Sequence, residues 1–218
     1  AFTPMSGSNT ICTVTALLES GRIPMVEPVT TVTLETAVGL VSVDAQCRDG
    51  KVLAVTITNV PAFAVHLGVP LDLPPDPRVD PPGAPLTVPV DVAFGGQFFV
   101  LARSEDLGVG FASSEVPRLQ SLGARLKLAV NKHYPVQHPL NPDIDDVNLV
   151  MITGPSPGDG VDGRNAMVMP TDRLNDDPVT WTGALDRSPC GTGTCARMAC
   201  MHARGELALS EPFVHMGM

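Results

Sequence analysis

The chain has 218 residues, a length typical of one large domain or two small ones. Hydrophobic residues make up 44% of the chain, which is enough for a packed core and argues against disorder. Asp and Glu number 23 against 14 Lys and Arg, and no basic run occurs, so the charge argues against nucleic acid as a partner.

The ends and the cysteines of the chain bear on its compartment. No segment approaches the roughly 18 apolar residues of a membrane-spanning helix, so no membrane partner is expected. Positions 1–4, Ala-Phe-Thr-Pro, lack the charged region of a signal peptide. Five cysteines are an odd number, which fits reduced thiols in a cytoplasmic protein better than a disulfide framework. The chain begins without Met and opens almost directly on a motif, so we expect a fragment of a longer chain.

A short helix followed by strands is predicted for the first sixty residues. Residues 10–19 are apolar, and Ser20-Gly21 follows them as a helix end. Three β-branched, partly alternating runs predict a meander; they are Thr31–Leu34, Leu40–Val43 and Val52–Ile57. Pro61 ends the last strand, so we place a domain boundary there, between residues 1–60 and residues 61–218.

The second domain opens with an irregular segment, since eight prolines lie between Pro70 and Pro89. The elements predicted after it are a strand at 88–101 interrupted by Gly95-Gly96, an amphipathic helix at about 116–130, strands at 147–153 and 166–169, and an apolar helix from Cys190 to just before Gly205. Alternating strands with few helices predict a mixed α/β or α+β fold rather than a doubly wound one.

A short internal repeat links the two apolar helices. Ser6 to Thr10 and Cys190 to Thr194 share one pattern: a small nucleophilic residue, Gly, a hydroxyl residue, any residue, then Thr. The copies are 184 residues apart, and in each copy a Gly follows 15 positions after the first residue. Gly and Thr are common at helix ends, but the matching helix length and stop favour a duplication over chance.

Two helix starts in equivalent positions of two similar lobes have a chemical use. Their free N–H groups and dipoles can hold a carboxylate, and Gly7 and Gly191 permit close approach. A helix start also lowers the pKa of a thiol, which predicts a thiolate at Cys190. Inverting an α-carbon needs a base on one face and an acid on the other, and Ser6 and Cys190 fit that requirement.

Two other patterns are read as structural. Cys190, Cys195 and Cys200 are five residues apart and spread around a helix, so they predict no metal site. Cys195, Cys200 and Cys12 are expected in the core. Residues 158–163 match G-x-G-x-x-G, but they contain two acidic residues and precede a strand-like segment, which predicts a surface turn and no dinucleotide site.

The second copy of the repeat lies in a longer motif that resembles a known family. Asp186–Thr194 is similar to the second catalytic motif of proline racemases and hydroxyproline epimerases. Met5–Thr10 resembles a variant of their first motif, usually Met-Cys-Gly-His, and weaker similarity covers 94–99, 138–139 and 146–148. The resemblance implies two similar lobes, each a β-barrel-like sheet around a central helix with the site between them, and no metal, pyridoxal or nicotinamide cofactor. It also implies further residues beyond both ends of the chain.

The resemblance also implies roles for seven residues. Ser6 and Cys190 would be the acid/base pair, and Asp186 would hold the ring ammonium of a small-molecule imino acid. Donors to the substrate carboxylate would come from four residues: Gly7, Ser8, Gly191 and Thr192. A homodimer is left open.

The first motif departs from the proline racemase pattern, with Ser6 in place of Cys and Ser8 in place of His. A hydroxyl is a far weaker acid than a thiol, so Ser6 needs help from the dipole, a neighbour or a bound water. Within the family, a serine-first, cysteine-second pair is associated with epimerases of 4- and 3-hydroxyproline, and a cysteine-first, threonine-second pair with dehydratases.

The leading hypothesis is therefore an enzyme, a cofactor-independent isomerase. It would interconvert trans-4-hydroxy-L-proline, or 3-hydroxyproline, and its cis-D epimer by two-base proton transfer at Cα. The alternatives are a trans-3-hydroxy-L-proline dehydratase, a proline racemase, and a non-catalytic amino-acid binder.

Overall fold

The computed structural model describes residues 3–84 and 87–218. Four residues lie outside the described residues: Ala1 and Phe2, which belong to the segment that lacks the charged region of a signal peptide, and Pro85 and Leu86, which belong to the predicted irregular segment. The described residues form two compact units, one ending at Pro61 and the other beginning at Ala62.

The unit up to Pro61 contains one helix and an antiparallel three-stranded sheet in the order β1-β2-β3. The bounds are α1 Gly7–Glu19, β1 Val29–Thr36, β2 Gly39–Arg48 and β3 Lys51–Thr58. The predicted helix and the predicted meander are confirmed, with each element longer than expected.

One face of α1 is buried, and it explains where the cysteine of this helix lies. Thr10, Val14 and Leu18 are buried at steps of four, so they share one side of the helix. Cys12 lies off that stripe and is exposed, so its expected place in the core is wrong. At the end of α1, Glu19 accepts hydrogen bonds from Lys51 Nζ at 2.7 Å and Val52 N at 3.0 Å, which tie the helix to β3. Both hydrogen bonds lower the pKa of the Glu19 carboxyl, and the bond from Lys51 has the larger effect.

The unit from Ala62 is built on a seven-stranded mixed sheet in the order β10-β8-β7-β6-β5-β4, with β9 paired to β8. The strands are β4 Phe63–Asp72, β5 Thr87–Phe94, β6 Phe98–Arg103, β7 Leu149–Gly154, β8 Gly163–Pro170, β9 Gly183–Asp186 and β10 His215–Gly217. The helices are α2 Ser104–Leu107, α3 Val116–His133 and α4 Gly191–Ala203. Among the helices of residues 3–84 and 87–218, none is long and apolar enough to cross a membrane.

Helices cover both faces of this sheet. Met167 of β8 packs in a core cluster with Ala196 and Cys200 of α4. Its neighbour Val168 lies under α3, where a Cβ on Gly123 would be 2.5 Å from the valine side chain. Because adjacent strand residues point to opposite faces, α3 and α4 lie on opposite sides of the sheet. This explains the nearly continuous apolar sequence of the central strands β6 and β7.

A buried ion-pair network fixes the proline-rich segment against α3. The guanidinium of Arg125 donates to Asp80 at 2.6 and 3.0 Å, and Ser121 donates to Asp76 at 2.7 Å. The Arg78 guanidinium, which donates to Asp76, holds the pKa of that carboxyl well below its usual range. An irregular segment is thus held by side chains where strand hydrogen bonds are lacking.

Two strand predictions are wrong. The predicted irregular segment from Pro70 to Pro89 is too long, since β4 runs to Asp72 and β5 begins at Thr87. The sequence concealed β4 because Gly68, at φ +62°, forms a bulge in an edge strand that also contains Pro70.

The single interrupted strand predicted at 88–101 is an antiparallel hairpin of β5 and β6, with Phe94 opposite Phe98. Gly96, at φ +109°, makes the reversal. The short strands β9 and β10 were not predicted, whereas α3, α4, β7 and β8 lie where the sequence indicated. Residues 158–162 form a largely exposed turn, with Val161 N donating to Gly158 O at 3.1 Å, as expected, whereas Gly163 is buried as the first residue of β8.

Candidate active site at two helix starts

The first helix start presents two neighbouring hydroxyls. Ser6 is the N-cap of α1, with extended backbone (φ −139°), and its Oγ accepts a hydrogen bond from Asn9 N at 3.4 Å. Ser8 Oγ lies 3.3 Å from Ser6 Oγ. A Cβ on Gly7 would contact nothing within 4 Å, so the surface over the first turn is open. The first N–H groups of the helix lack intrahelical acceptors and are suited to an anion.

The second helix start has an unusual backbone. Cys190 is the N-cap of α4, with φ +55° and ψ 96°. Residues other than glycine rarely adopt this region of backbone angles. Its carbonyl accepts the first intrahelical bond from Thr194 N at 2.8 Å. Such strain persists only where the surrounding structure enforces it, and it is frequent at functional sites.

The thiol of Cys190 lies against the core behind the helix. It is half-buried, packed on the cluster that contains Phe99 and Met151. A Cβ on Gly193 would be 2.4 Å from Met151 Cε and 3.1 Å from Cys190 Sγ, so a side chain there would displace the Met151 methyl group and crowd the sulfur. Thr192 Oγ1 is 3.9 Å from the sulfur.

Burial raises the pKa of the Cys190 thiol above its ordinary value. The Gly193 N–H and the Thr192 hydroxyl act in the opposite direction, and the charge of Asp186 adds to the rise. The expectation of a ready thiolate at this helix start is therefore wrong, because desolvation by the core outweighs the donors of the first turn.

Asp186 is connected to Cys190 through a residue that the sequence reading missed. Both carboxylate oxygens of Asp186 accept from Ser188, one from its N–H at 2.8 Å and one from its hydroxyl at 2.9 Å. Ser188 Oγ in turn accepts from Cys190 N at 3.3 Å. Each carboxylate oxygen retains a further lone pair, so Asp186 can still accept from a substrate ammonium.

The predicted site residues fall into two groups. Asp186, Cys190, Gly191 and Thr192 lie together at the start of α4, and Ser6, Gly7 and Ser8 lie together at the start of α1. Gly191 is exposed with open space at its Cβ position, whereas Thr192 is only 4% exposed and directs its hydroxyl to the sulfur.

Gly95 is a second residue whose role sequence reasoning missed. A Cβ there would lie 2.1 Å from Thr192 O and 2.6 Å from Ala196 N, so the β5–β6 turn rests directly on the first turns of α4. The motif at residues 94–99 had shown only weak family similarity. An adjacent pair of glycines between two buried strands was the available signal.

The internal repeat extends to the ends of both helices. Each helix has 13 residues, and Gly21 and Gly205 follow them at φ +71° and +75°. Arg22 N donates to Leu17 O, and Glu206 N donates to Met201 O, the 6→1 bond of a Schellman motif at the same offset of 184 residues. This match favours a duplicated helix unit over a chance repeat.

The sequence model of the proline racemase family matches residues 1–218, and the chain belongs to that family. It is 39% identical to the 4-hydroxyproline 2-epimerase 1 of Rhizobium rhizogenes over 208 residues, which are 95% of this chain and 54% of the relative. It is also 39% identical to the 4-hydroxyproline 2-epimerase of Streptosporangium roseum, covering 97% of this chain and 57% of the relative. The chain thus spans about half the length of these relatives.

Solved structures share the fold. A hydroxyproline epimerase from Agrobacterium vitis with bound trans-4-hydroxy-L-proline matches with a TM-score of 0.82 and 40% identity, covering 96% of this chain and 55% of the other. A probable proline racemase from Agrobacterium radiobacter with bound carbonate matches with a TM-score of 0.81 and 38% identity, with the same coverage of 96% and 55%. The predicted family and the mixed α/β fold are confirmed, and the coverage is consistent with a fragment. Within the described parts of the chain, no group of three His, Cys, Asp or Glu side chains could hold a metal ion.

Proposed function

We propose that this chain carries the acid/base residues of a cofactor-independent isomerase that epimerises hydroxyproline at Cα. The observation that carries the proposal is Cys190, a half-buried thiol held in a left-handed N-cap beside the open surface of Gly191. The relatives named 4-hydroxyproline 2-epimerase, and the similar structure with bound trans-4-hydroxy-L-proline, support 4-hydroxyproline as the substrate.

Binding of the substrate would use the features of both helix starts. The N–H groups at the starts of α1 and α4 suit a carboxylate, because the first N–H groups of a helix lack intrahelical acceptors, and Asp186 would accept from the ring ammonium. Gly7 and Gly191 leave room for the ligand to approach the backbone. The N–H groups of Ser8 and Thr192 complete the proposed set of carboxylate donors, because their hydroxyls lie beside Ser6 Oγ and the Cys190 sulfur.

The chemistry would be a two-base proton transfer, with Cys190 serving one face of Cα and Ser6 the other. Because burial raises the pKa of Cys190, its resting form at neutral pH is the thiol, which is the correct form for delivering a proton. For removal of a proton the thiol must first ionise, and the Gly193 N–H and Thr192 hydroxyl beside the sulfur favour that ionisation.

Ser6 is the weaker partner and needs support. Asn9 N donates to its Oγ at 3.4 Å, and Ser8 Oγ lies 3.3 Å away, so two groups are at hand to stabilise charge on the oxygen. The positive end of α1 acts in the same direction.

Incubation of the protein with trans-4-hydroxy-L-proline in D₂O tests the proposal. We expect the Cα proton signal to disappear and the optical rotation to change. Cys190→Ala should reduce both rates by about 10³-fold, in the range typical of a lost acid/base group. Cys12→Ala is the matched control, since that thiol is exposed on α1, and it should retain the wild-type rates.

The alternatives give different outcomes in the same assay. A ketone absorbance from trans-3-hydroxy-L-proline would identify a dehydratase, and exchange with proline alone would identify a proline racemase. Binding of hydroxyproline without turnover in the wild type would identify a binder. Absence of exchange with both the 4- and 3-hydroxy isomers contradicts the proposal.

A further inference from the structure

The strained backbone at Cys190 is held through the carbonyl of the residue before it. Thr194 Oγ1 donates to Pro189 O at 3.0 Å, from one turn further along α4. The buried Asn165 amide, in the orientation that satisfies both its polar atoms, donates to the same carbonyl at 3.2 Å. Two side-chain donors thus fix the peptide that enters the N-cap.

Behind Thr194 a relay of hydrogen bonds continues into β10. His215 Nδ1 lies 2.8 Å from Thr194 Oγ1, and Arg197 Nη1 lies 2.9 Å from His215 Nε2. An arginine can only donate, so Nε2 accepts and the proton of the neutral ring is on Nδ1. His215 then donates to Thr194 Oγ1, which leaves the threonine hydrogen free to point at Pro189 O.

The histidine stays neutral near physiological pH. Burial, and then the charge of Arg197, lower the pKa of His215 to about 4. A protonated ring would place a second donor against the guanidinium, so the direction of the relay depends on this neutral state.

Arg197 connects the relay to the sheet. Its guanidinium donates to Arg164 O at 3.1 Å in β8 and to Gly154 O at 3.2 Å at the end of β7. It also packs over the ring of Phe213, at 5.2 Å from the centroid. A Cβ on Gly163 would lie 2.7 Å from the guanidinium, so the strand fits closely around it. The arginine is thereby fixed by the backbone of two strands.

We propose that Thr194, His215 and Arg197 are positioning residues that hold Pro189 O and thereby keep the Cys190 thiol in its reactive orientation. The proposal rests on the proposed acid/base role of Cys190. The relay acts on Cys190 through the peptide backbone, by way of Pro189 O. We expect the relay to affect the rate of proton transfer, because a displacement of about 1 Å in a reacting group costs up to about 100-fold in rate.

Thr194→Val and Thr194→Ser are the matched pair for the test. Valine keeps the shape and removes the hydroxyl, whereas serine keeps the hydroxyl. We expect Thr194→Val to lower kcat for hydroxyproline about 10- to 100-fold with KM within about threefold of wild type. Thr194→Ser should restore kcat to within about threefold of wild type.

A readout that needs no turnover is the pH profile of Cys190 alkylation by iodoacetamide, followed by mass spectrometry of the peptide. The wild-type midpoint should lie above that of free cysteine, because burial raises the pKa of Cys190. Thr194→Val should displace this midpoint by about half a pH unit or more, and Thr194→Ser should not. A role in stability alone would lower the melting temperature of Thr194→Val and leave the alkylation profile in place.

Wild-type kcat and an unchanged alkylation profile in Thr194→Val would overturn the proposal, as would equal losses in the valine and serine variants. Should Thr194→Val not fold, His215→Leu and His215→Gln form a second pair with the same expected contrast in the alkylation midpoint. If the wild type epimerises no hydroxyproline, the proposed function fails, and the alkylation experiment still decides whether the relay positions the thiol.

Discussion

The starts of α1 and α4 share one sequence pattern but differ in their surroundings. Both helices have 13 residues and end in the same Schellman motif. At the N-caps, Ser6 has ordinary extended backbone, whereas Cys190 has a positive φ and its side chain packs on the core. The helix and its stop were retained, and the surroundings of the first turn set the properties of each acid/base candidate.

The third residue of each helix shows how the surroundings differ. Gly193 sits in close contact with Met151 and the Cys190 sulfur, so the second start is closed from behind. Its counterpart Asn9 is exposed. Burial therefore raises the pKa of the thiol, and the hydroxyl of Ser6 depends on neighbouring donors of its own turn.

Exchanging the thiol and the hydroxyl should give the largest difference between the two helix starts. Cys190→Ser places a much weaker acid in the closed position, and we expect the epimerisation rate to fall by about 10³-fold. Ser6→Cys supplies a stronger acid and should cost less than about tenfold. Rates measured by polarimetry from both epimers check this, and equal losses in the two variants would show that the two starts are chemically equivalent.

Alanine at the third residue of each helix should separate the two starts by stability. Gly193→Ala forces a Cβ into the space of Met151 and the thiol, and we expect a loss of about 1–3 kcal/mol in the free energy of unfolding. Asn9→Ala, at the equivalent exposed position, should stay within about 0.5 kcal/mol of wild type. Urea denaturation measures both, and a neutral Gly193→Ala would mean that the contact behind the helix is loose.

The glycines that follow α1 and α4 should respond alike to substitution, so this pair should show the smallest difference between the two helices. Gly21→Ala and Gly205→Ala place a side chain in left-handed backbone with no atom within 4 Å of the added Cβ. We expect each to lower the free energy of unfolding by about 1 kcal/mol. A difference of more than about 0.5 kcal/mol between the two in urea denaturation would contradict the equivalence of the two stops.

Local signals in the sequence predicted the parts of the fold that depend on local interactions. Gly21 and Gly205 correctly predicted the helix ends, because the left-handed backbone that follows a helix is usually adopted by glycine. The strand β4 was missed because its bulge at Gly68 resembles a break in the sequence.

The missed features of the site are tertiary. Gly95 meets Thr192 from a position almost a hundred residues away, and His215 reaches Thr194 from β10. The pKa of Cys190 is raised because the core surrounds the sulfur. The sequence showed only the helix start, which by itself lowers the pKa of a thiol. Motif and spacing predicted the candidate residues, and packing determines their properties.

The central claim, two groups serving opposite faces of one α-carbon, is tested most directly by the isotope pattern at early times in D₂O. Trans-4-hydroxy-L-proline should give a cis-D product that carries deuterium at Cα, while the remaining substrate keeps its protium. A removed proton that stays on one group, with a solvent deuteron delivered by the other, produces this pattern. A product that retains protium at Cα would mean that a single group moves the same proton between faces, and would contradict the account.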